Sequence, residues 1–438
     1  MTSLTLVAES YFDGSRNRDR GPYTIEIADG SIQAIHHGDF SQAIATLSFR
    51  SRGERSQIFR APFVMPGLVE AHCHLFLDGG ELDVRKRKDY LNSSFDEMLA
   101  VGRRSLARNL AAGITLIRDA GDLPGVNTRL KAEVSKQSGV QPDLRSPGRA
   151  LRKAGRYGSF MAVEVTDTNS IVRTILQLAT IADDLKVLLT GIIDFEKGCM
   201  KGGLQFSLEE TKLIVRIARE LGLRTYAHCS GIEGLRIALE AGIDSIEHGF
   251  FMQRDVLRAM ADQGIAWVPT FSPVYFQYAR PELCGWNKQT VAGLWRILDN
   301  HFEHVALASQ MGVPVVAGSD AGSYGVPHGQ GLIDELLYQH RARMPLDKVL
   351  ASATSVPRRL WRCESADVVS GNRANLIVLE GSPFQDIENL RRVRLVVRGS
   401  DCCAVRAAPS DGAESGHPEV VGVGERTSVR RYAGMLNG

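Results

Sequence analysis

The chain has 438 residues, 44% hydrophobic and 23% charged, an ordinary balance for a globular protein with one large domain and an accessory. A formal net charge of +2 gives no electrostatic case for nucleic acid or an anionic membrane as partner, and no apolar run reaches the roughly 18 residues of a membrane span. Seven cysteines, with Cys402 and Cys403 adjacent, lack disulfide-framework spacing, and Met1 to Phe12 lacks the basic start and apolar core of a secretory signal, so a cytoplasmic setting with reduced thiols is expected.

Residues 1–62 read as short strands between Asp-Gly turns: Leu4 to Val7 before Asp13-Gly14, Tyr23 to Ile27 before Asp29-Gly30, then Ile32 to Ile35. A second β region, Ala374 to Gly381 and Val393 to Gly399, lies near the other end. The expected organisation is a small β-sandwich from residues 1–62 plus 365–405, a large domain over 63–364, and a flexible tail at 406–438, where Pro, Ser, Gly and Glu dominate.

The middle alternates apolar strands with amphipathic helices, the pattern of parallel βα units. Leu185 to Leu189 reads as a buried strand. Ser207 and Glu210 form a capping box, Leu213, Ile214, Ile217, Ala218 and Leu221 follow at helical spacing, and Gly222 stops the helix before a strand at Leu223 to His228. Further strands are expected at Leu68 to His74, Gly113 to Arg118, Leu144 to Leu151, Ile243 to Glu247, Ile265 to Pro269 and Pro314 to Gly318. Eight such units predict a (β/α)8 TIM barrel, with its active site at the C-terminal ends of the strands.

Those strand ends carry the polar residues. In Glu70-Ala71-His72-Cys73-His74, strand alternation sends His72 and His74 to one face and Cys73 to the other, into packing. Two imidazoles on one face can chelate a metal, or can be paired polar surface residues. Lys186 lies amid apolar strand residues, where a charged amine is costly to bury; the alternative is a strand-edge cation. His228, His248 and Asp320 end later strands, and each has a plainer role available, such as a core histidine or a helix N-cap. Six such residues at one mouth are far better explained by a metal site than by six accidents. His301 and His304 are expected on the surface of a helix outside the barrel. Lys197 and Lys201 either line the mouth or are solvated.

This set resembles the amidohydrolase superfamily, and the likeness covers roughly residues 1–400. Met65-Pro66-Gly67-Leu68, Gly113-Ile114-Thr115, Arg118-Asp119-Ala120-Gly121, Pro327-His328-Gly329 and Ala374 to Leu379 carry it further. Lys186 to Gly191 is most similar to the branch of imidazolonepropionase-related hydrolases that holds Xaa-Pro dipeptidases. His228-Cys229-Ser230-Gly231 lacks the His-x-x-Glu of deaminases.

The resemblance implies two divalent ions, with zinc expected. His72, His74 and Asp320 would hold one, His228 and His248 the other, with a CO2-derived carbamate on Lys186 bridging them. A hydroxide shared by the ions would attack an amide or peptide-like C–N bond of a small carboxylate-bearing substrate, of dipeptide or N-acyl amino acid type. Asp320 would be the catalytic general base and acid. Arg156, Tyr157 and His328 are candidate substrate contacts, because Gly155-Arg156-Tyr157-Gly158 replaces a glycine-rich loop and a guanidinium forks onto carboxylates. Homo-oligomers are common in such a family. Alternatives are ring opening of a cyclic, imidazolone-like amide at a mononuclear site, a non-catalytic scaffold, and a binding protein without turnover.

Overall fold

Left-handed backbone at Asp29 (φ 53°) and Gly30 (φ 77°) folds Tyr23–Ala28 onto Ser31–His37 as a two-residue hairpin, whose twist suits antiparallel strands. In this computed structural model, which describes residues 3–52, 57–406 and 419–422, the hairpin forms one edge of a nine-stranded sheet. Leu4–Phe12 lies antiparallel to Tyr23–Ala28 and parallel to Gln57–Pro66. Asn375–Leu379, Val393–Arg398 and Asp401–Arg406 continue the sheet antiparallel, so strands from both ends of the chain share one ladder. Leu6, Ile25, Ile32, Val64 and Leu376 are buried together beneath it. Within the segment read as a tail, Glu419–Gly422 pairs with Asp401–Arg406; residues 407–418 and 423–438 lie outside the described residues.

The rest is mixed α/β with parallel sheets. Leu68–Cys73, Ile114–Asp119 and Asp143–Arg145 make a three-stranded sheet. Ala162–Val165, Ala150–Lys153, Asp184–Leu188, Arg224–Cys229, Ser245–His248 and Ala266–Val268 make a six-stranded one, in that order.

The strands do not close into one ladder, and the sequence explains one of the two breaks. The stretch read as one strand, Leu144 to Leu151, is two, because Pro147 has no N–H to give and Gly148 turns at φ 64°. The stretch Pro314 to Gly318 makes only an isolated bridge at Val315 to Trp267. Its backbone is nevertheless bonded on both sides: Val316 N–H donates to the Trp267 carbonyl (2.9 Å) and Ala71 N–H to the Ala317 carbonyl (3.1 Å). Gly318 is needed there, since a Cβ would come within 2.9 Å of the His72 backbone nitrogen.

The capping box at Ser207 and Glu210 is formed and starts the helix Leu208–Glu220. Helix Lys288–Met311 buries Leu294, Leu298, His301 and Val305 on one face. His301 is therefore in the core, 1% exposed and stacked on Phe250, and not on the surface as expected. A hairpin, Thr190–Asp194 with Cys199–Leu204, rises from the C-terminal end of Asp184–Leu188, with Lys201 exposed. No helix among the described residues is long and apolar enough to cross a membrane.

Candidate metal centre

His72 sits in a strand whose every residue is buried. Its Nδ1–H donates to Glu247 Oε2 at 2.6 Å. Glu247 also accepts from Arg118 Nη2 (2.9 Å) and Ser245 Oγ (2.6 Å), so it is an acceptor on every side and the Nδ1 proton is fixed. Nε2 is left as a bare lone pair. His74 repeats the arrangement with the Gly121 carbonyl (3.3 Å) as acceptor. His228 inverts it: Nε2–H donates to the Gly191 carbonyl (2.9 Å) and leaves Nδ1 bare. His248 bonds Thr270 Oγ1 through Nδ1 (2.7 Å), which leaves Nε2.

The four rings gather. His228 and His248 are 4.5 Å apart between centroids, His72 and His248 5.0 Å, and His72 and His74 5.8 Å. Burial, followed by nearby positive charge, lowers all four basicities, to about 3 in His74 and about 4 in His228. All are neutral at pH 7, the form that binds metal.

Asp320 faces them from a left-handed backbone (φ 57°), with its N–H on the His72 carbonyl at 2.7 Å. Its Oδ1 lies 3.4 Å from His74 Nε2 and 3.7 Å from His72 Nε2, and has no hydrogen-bond partner. Burial pushes the carboxyl up to about 7. Two bare imidazole nitrogens and an unpartnered carboxylate oxygen repel one another unless a proton or a metal ion lies between them. The ligand atoms of His72, His74 and Asp320 fall within 4.8 Å of one another, so this donor set fits a metal ion. No second group of three or more such atoms is found among the described residues.

Lys186 is 1% exposed, lies 4.8 Å above the Tyr226 ring, and its Nζ has no hydrogen-bond partner. Burial draws the amine down to about 8. A cavity of about 140 Å³ opens beside the histidines, lined by Tyr157, Ile193, Phe195, His228, His248 and Asp320. The Tyr157 ring is 5.5 Å from that of His228. Arg156 does not line this cavity; it is exposed, and its Nη1 donates to the Gly202 carbonyl (3.1 Å). His328 is buried but does not line the cavity: its Nε2 donates to the Leu77 carbonyl (3.0 Å).

Sequence reading gave no role to Glu247 or Glu70. Glu70 accepts from the N–H groups of His72 (3.0 Å) and Ser319 (2.9 Å) and from the Ser319 hydroxyl, which ties together the two segments bearing His72 and Asp320. For Glu70 the available signal was strand alternation, which puts it on the same face as His72.

The strand ends of this α/β scaffold thus present a buried group of three residues that could hold a metal ion. The chain belongs to the amidohydrolase family, whose profile matches residues 63–414. It is 28% identical over 305 residues to an uncharacterised protein of Mycobacterium tuberculosis, covering 69% of this chain and 75% of that one. Ochratoxinase of Aspergillus niger is 26% identical over 373 residues, 77% of this chain and 74% of the relative. A more distant match is imidazolonepropionase of Shewanella denitrificans, 22% over 266 residues, 53% of this chain and 60% of the relative. Among solved structures, a Xaa-Pro dipeptidase with bound methionine superposes with a TM-score of 0.76 at 22% identity, covering 92% of this chain and all (100%) of that one.

Proposed function

We propose that the protein is a metal-dependent hydrolase cleaving an amide or peptide-like C–N bond in a small, carboxylate-bearing molecule of dipeptide or N-acyl amino acid type. The observation that carries this reading is the meeting of His72 Nε2, His74 Nε2 and the unpartnered Asp320 Oδ1. The ochratoxinase and dipeptidase relatives support amide chemistry. The two parallel sheets with the 314–320 stretch are read as a (β/α)8 barrel over residues 63–364, and the mixed sheet of 1–62 and 365–405 as the smaller domain.

His72, His74 and Asp320 would hold one ion, His228 and His248 a second, and Lys186 as its carbamate would join them; a nitrogen and oxygen donor set suits zinc. Bound ions would polarise a carbonyl and bring the pKa of water down to about 7. Asp320 would then act as general base toward the attacking water and return the proton to the leaving nitrogen. Tyr157, on the wall of the cavity, would orient the substrate carboxylate through its hydroxyl. Seven free cysteines support a reducing, cytoplasmic setting.

A second reading is ring opening of a cyclic amide at a single ion, favoured by His72, His74 and Asp320 forming a complete three-ligand group, the one such group of His, Cys, Asp and Glu among the described residues. The test is turnover of dipeptides, N-acyl amino acids and imidazolones by zinc-loaded enzyme. Cleavage of the open-chain amides supports the lead reading, cleavage of imidazolones alone supports the second, and no turnover of either contradicts both.

A further inference from the structure

A second cavity, of about 650 Å³, opens beside the metal centre between the loop after the Leu68–Cys73 strand, helix Val84–Tyr90 and helix Phe95–Ala111. Its apolar wall is Leu77, Val84, Tyr90, Leu91, Val101 and Phe160. Val84 is 63% exposed and Leu91 44%, and exposed apolar side chains gathered around a concave surface mark a binding site more often than chance.

Most polar groups of the wall are already engaged within the protein, the exposed Lys88 being the exception among the described residues. The Tyr90 hydroxyl donates to the Phe76 carbonyl. Arg87 donates to the carbonyls of Asp78 and Gly322. Asp78 accepts from Arg108 (3.2 Å) and the Gly80 N–H (2.9 Å), and Glu81 is paired with Lys86 (3.8 Å). The groove thus offers apolar surface and few free hydrogen-bonding groups, and the same bonds hold it preformed.

Phe160, on the wall of this groove, stands next to His74 and Tyr157. Its ring lies 6.3 Å from that of His74 and 6.1 Å from that of Tyr157, and its carbonyl accepts from the Leu123 N–H (2.9 Å). With the substrate carboxylate on the Tyr157 and His228 side, the acyl half of the molecule extends on the His74 side, toward Phe160.

We propose that this groove is a substrate subsite that seats a bulky apolar arm, of aryl size, on the acyl side of the scissile amide. The inference rests on the hydrolase reading above and narrows its substrates to N-aroyl or similarly large N-acyl amino acids.

The test has two parts. Zinc-loaded enzyme is assayed with N-acetyl- and N-(2-naphthoyl)-L-leucine, and the neutral fluorescent probe N-phenyl-1-naphthylamine is titrated separately. The wild-type kcat/KM favours the naphthoyl substrate about 100-fold. Val84→Asp and Leu91→Asp each reduce that ratio about tenfold or more and weaken the probe by a similar factor. Leu176→Asp, on an exposed face of helix Thr168–Leu178, retains the wild-type ratio and probe affinity. Equal ratios and unchanged probe binding in Val84→Asp and Leu91→Asp overturn the proposal. So does conversion of an oligomer to monomers by these substitutions with the ratio retained, which would make the groove a subunit interface. If neither amide is cleaved yet the probe is lost in Val84→Asp, the groove stands as an apolar ligand site and the N-acyl amino acid reading falls.

Discussion

Glu247 Oε2 lies 2.6 Å from His72 Nδ1 across 175 positions of sequence, and the same carboxylate holds Arg118 at 2.9 Å. Arg118 in turn donates through Nε to the Ala71 carbonyl (2.9 Å) and packs over Tyr226. One buried acid thus fixes the tautomer of His72 and the strand that carries it. Glu247→Gln, which weakens the acceptor while keeping its shape, is expected to lower metal affinity about 10- to 100-fold in competition with a chelator. Unchanged affinity would show that Glu247 is not what holds His72 in its ligand form.

Asp320 is assigned the proton transfers because its free oxygen faces the histidine nitrogens. Asp320→Asn is expected to reduce kcat by about 10²- to 10⁴-fold, with metal content measured alongside. A kcat within a factor of about three of wild type would remove it from the chemistry.

Tyr157 and Arg156 are neighbours with different prospects. Tyr157 lines the cavity beside His228, whereas Arg156 is exposed and bonded to the Gly202 carbonyl. Tyr157→Phe should raise KM about tenfold, while Arg156→Ala should leave kcat/KM within about twofold. The opposite pattern would place the carboxylate on Arg156.

What could be read from the sequence follows the regularity of the backbone. His72 and His74 were legible because a strand alternates strictly, and Ser207 with Glu210 because a capping box has fixed spacing. Glu247 was not legible: alternation puts it on the face opposite His248, yet both reach the centre because His248 takes φ 67° at the strand end. Asp320 at φ 57° and Thr270 at φ 50° are further non-glycine departures that no local pattern announces. His301 is a different case. It shares a helical face with Leu294, Leu298 and Val305, so the periodicity for burial was present and pointed to the core. The barrel count ran ahead of the ladder because Pro147 splits one stretch that apolar composition suggests is a single strand, and the 314–318 stretch pairs only through an isolated bridge.

Glu335 is fully buried and accepts from the N–H groups of Phe271 (3.1 Å) and Ser272 (3.2 Å) and from Ser272 Oγ (3.0 Å), yet burial pushes its carboxyl from 4.5 up to about 8. Between those values the unfolded chain has released its proton and the folded chain has not. The folded state binds more protons there, so stability falls as pH rises through the window, and the loss is complete above about 8. At about 1.36 kcal/mol per unit, the loss amounts to several kcal/mol. Denaturant unfolding between pH 5 and 8 should show a shallower decline in Glu335→Gln than in wild type; parallel declines would mean that Glu335 is ionised throughout.

The metal centre itself is tested most directly by elemental analysis of protein prepared with zinc and bicarbonate, wild type beside Lys186→Ala. The predicted result is about two ions per chain in the wild type and about one or fewer in the variant, because Lys186 is the group that would join the two histidine sets. A wild type that binds no metal under these conditions, or a variant that keeps both ions, would contradict the account.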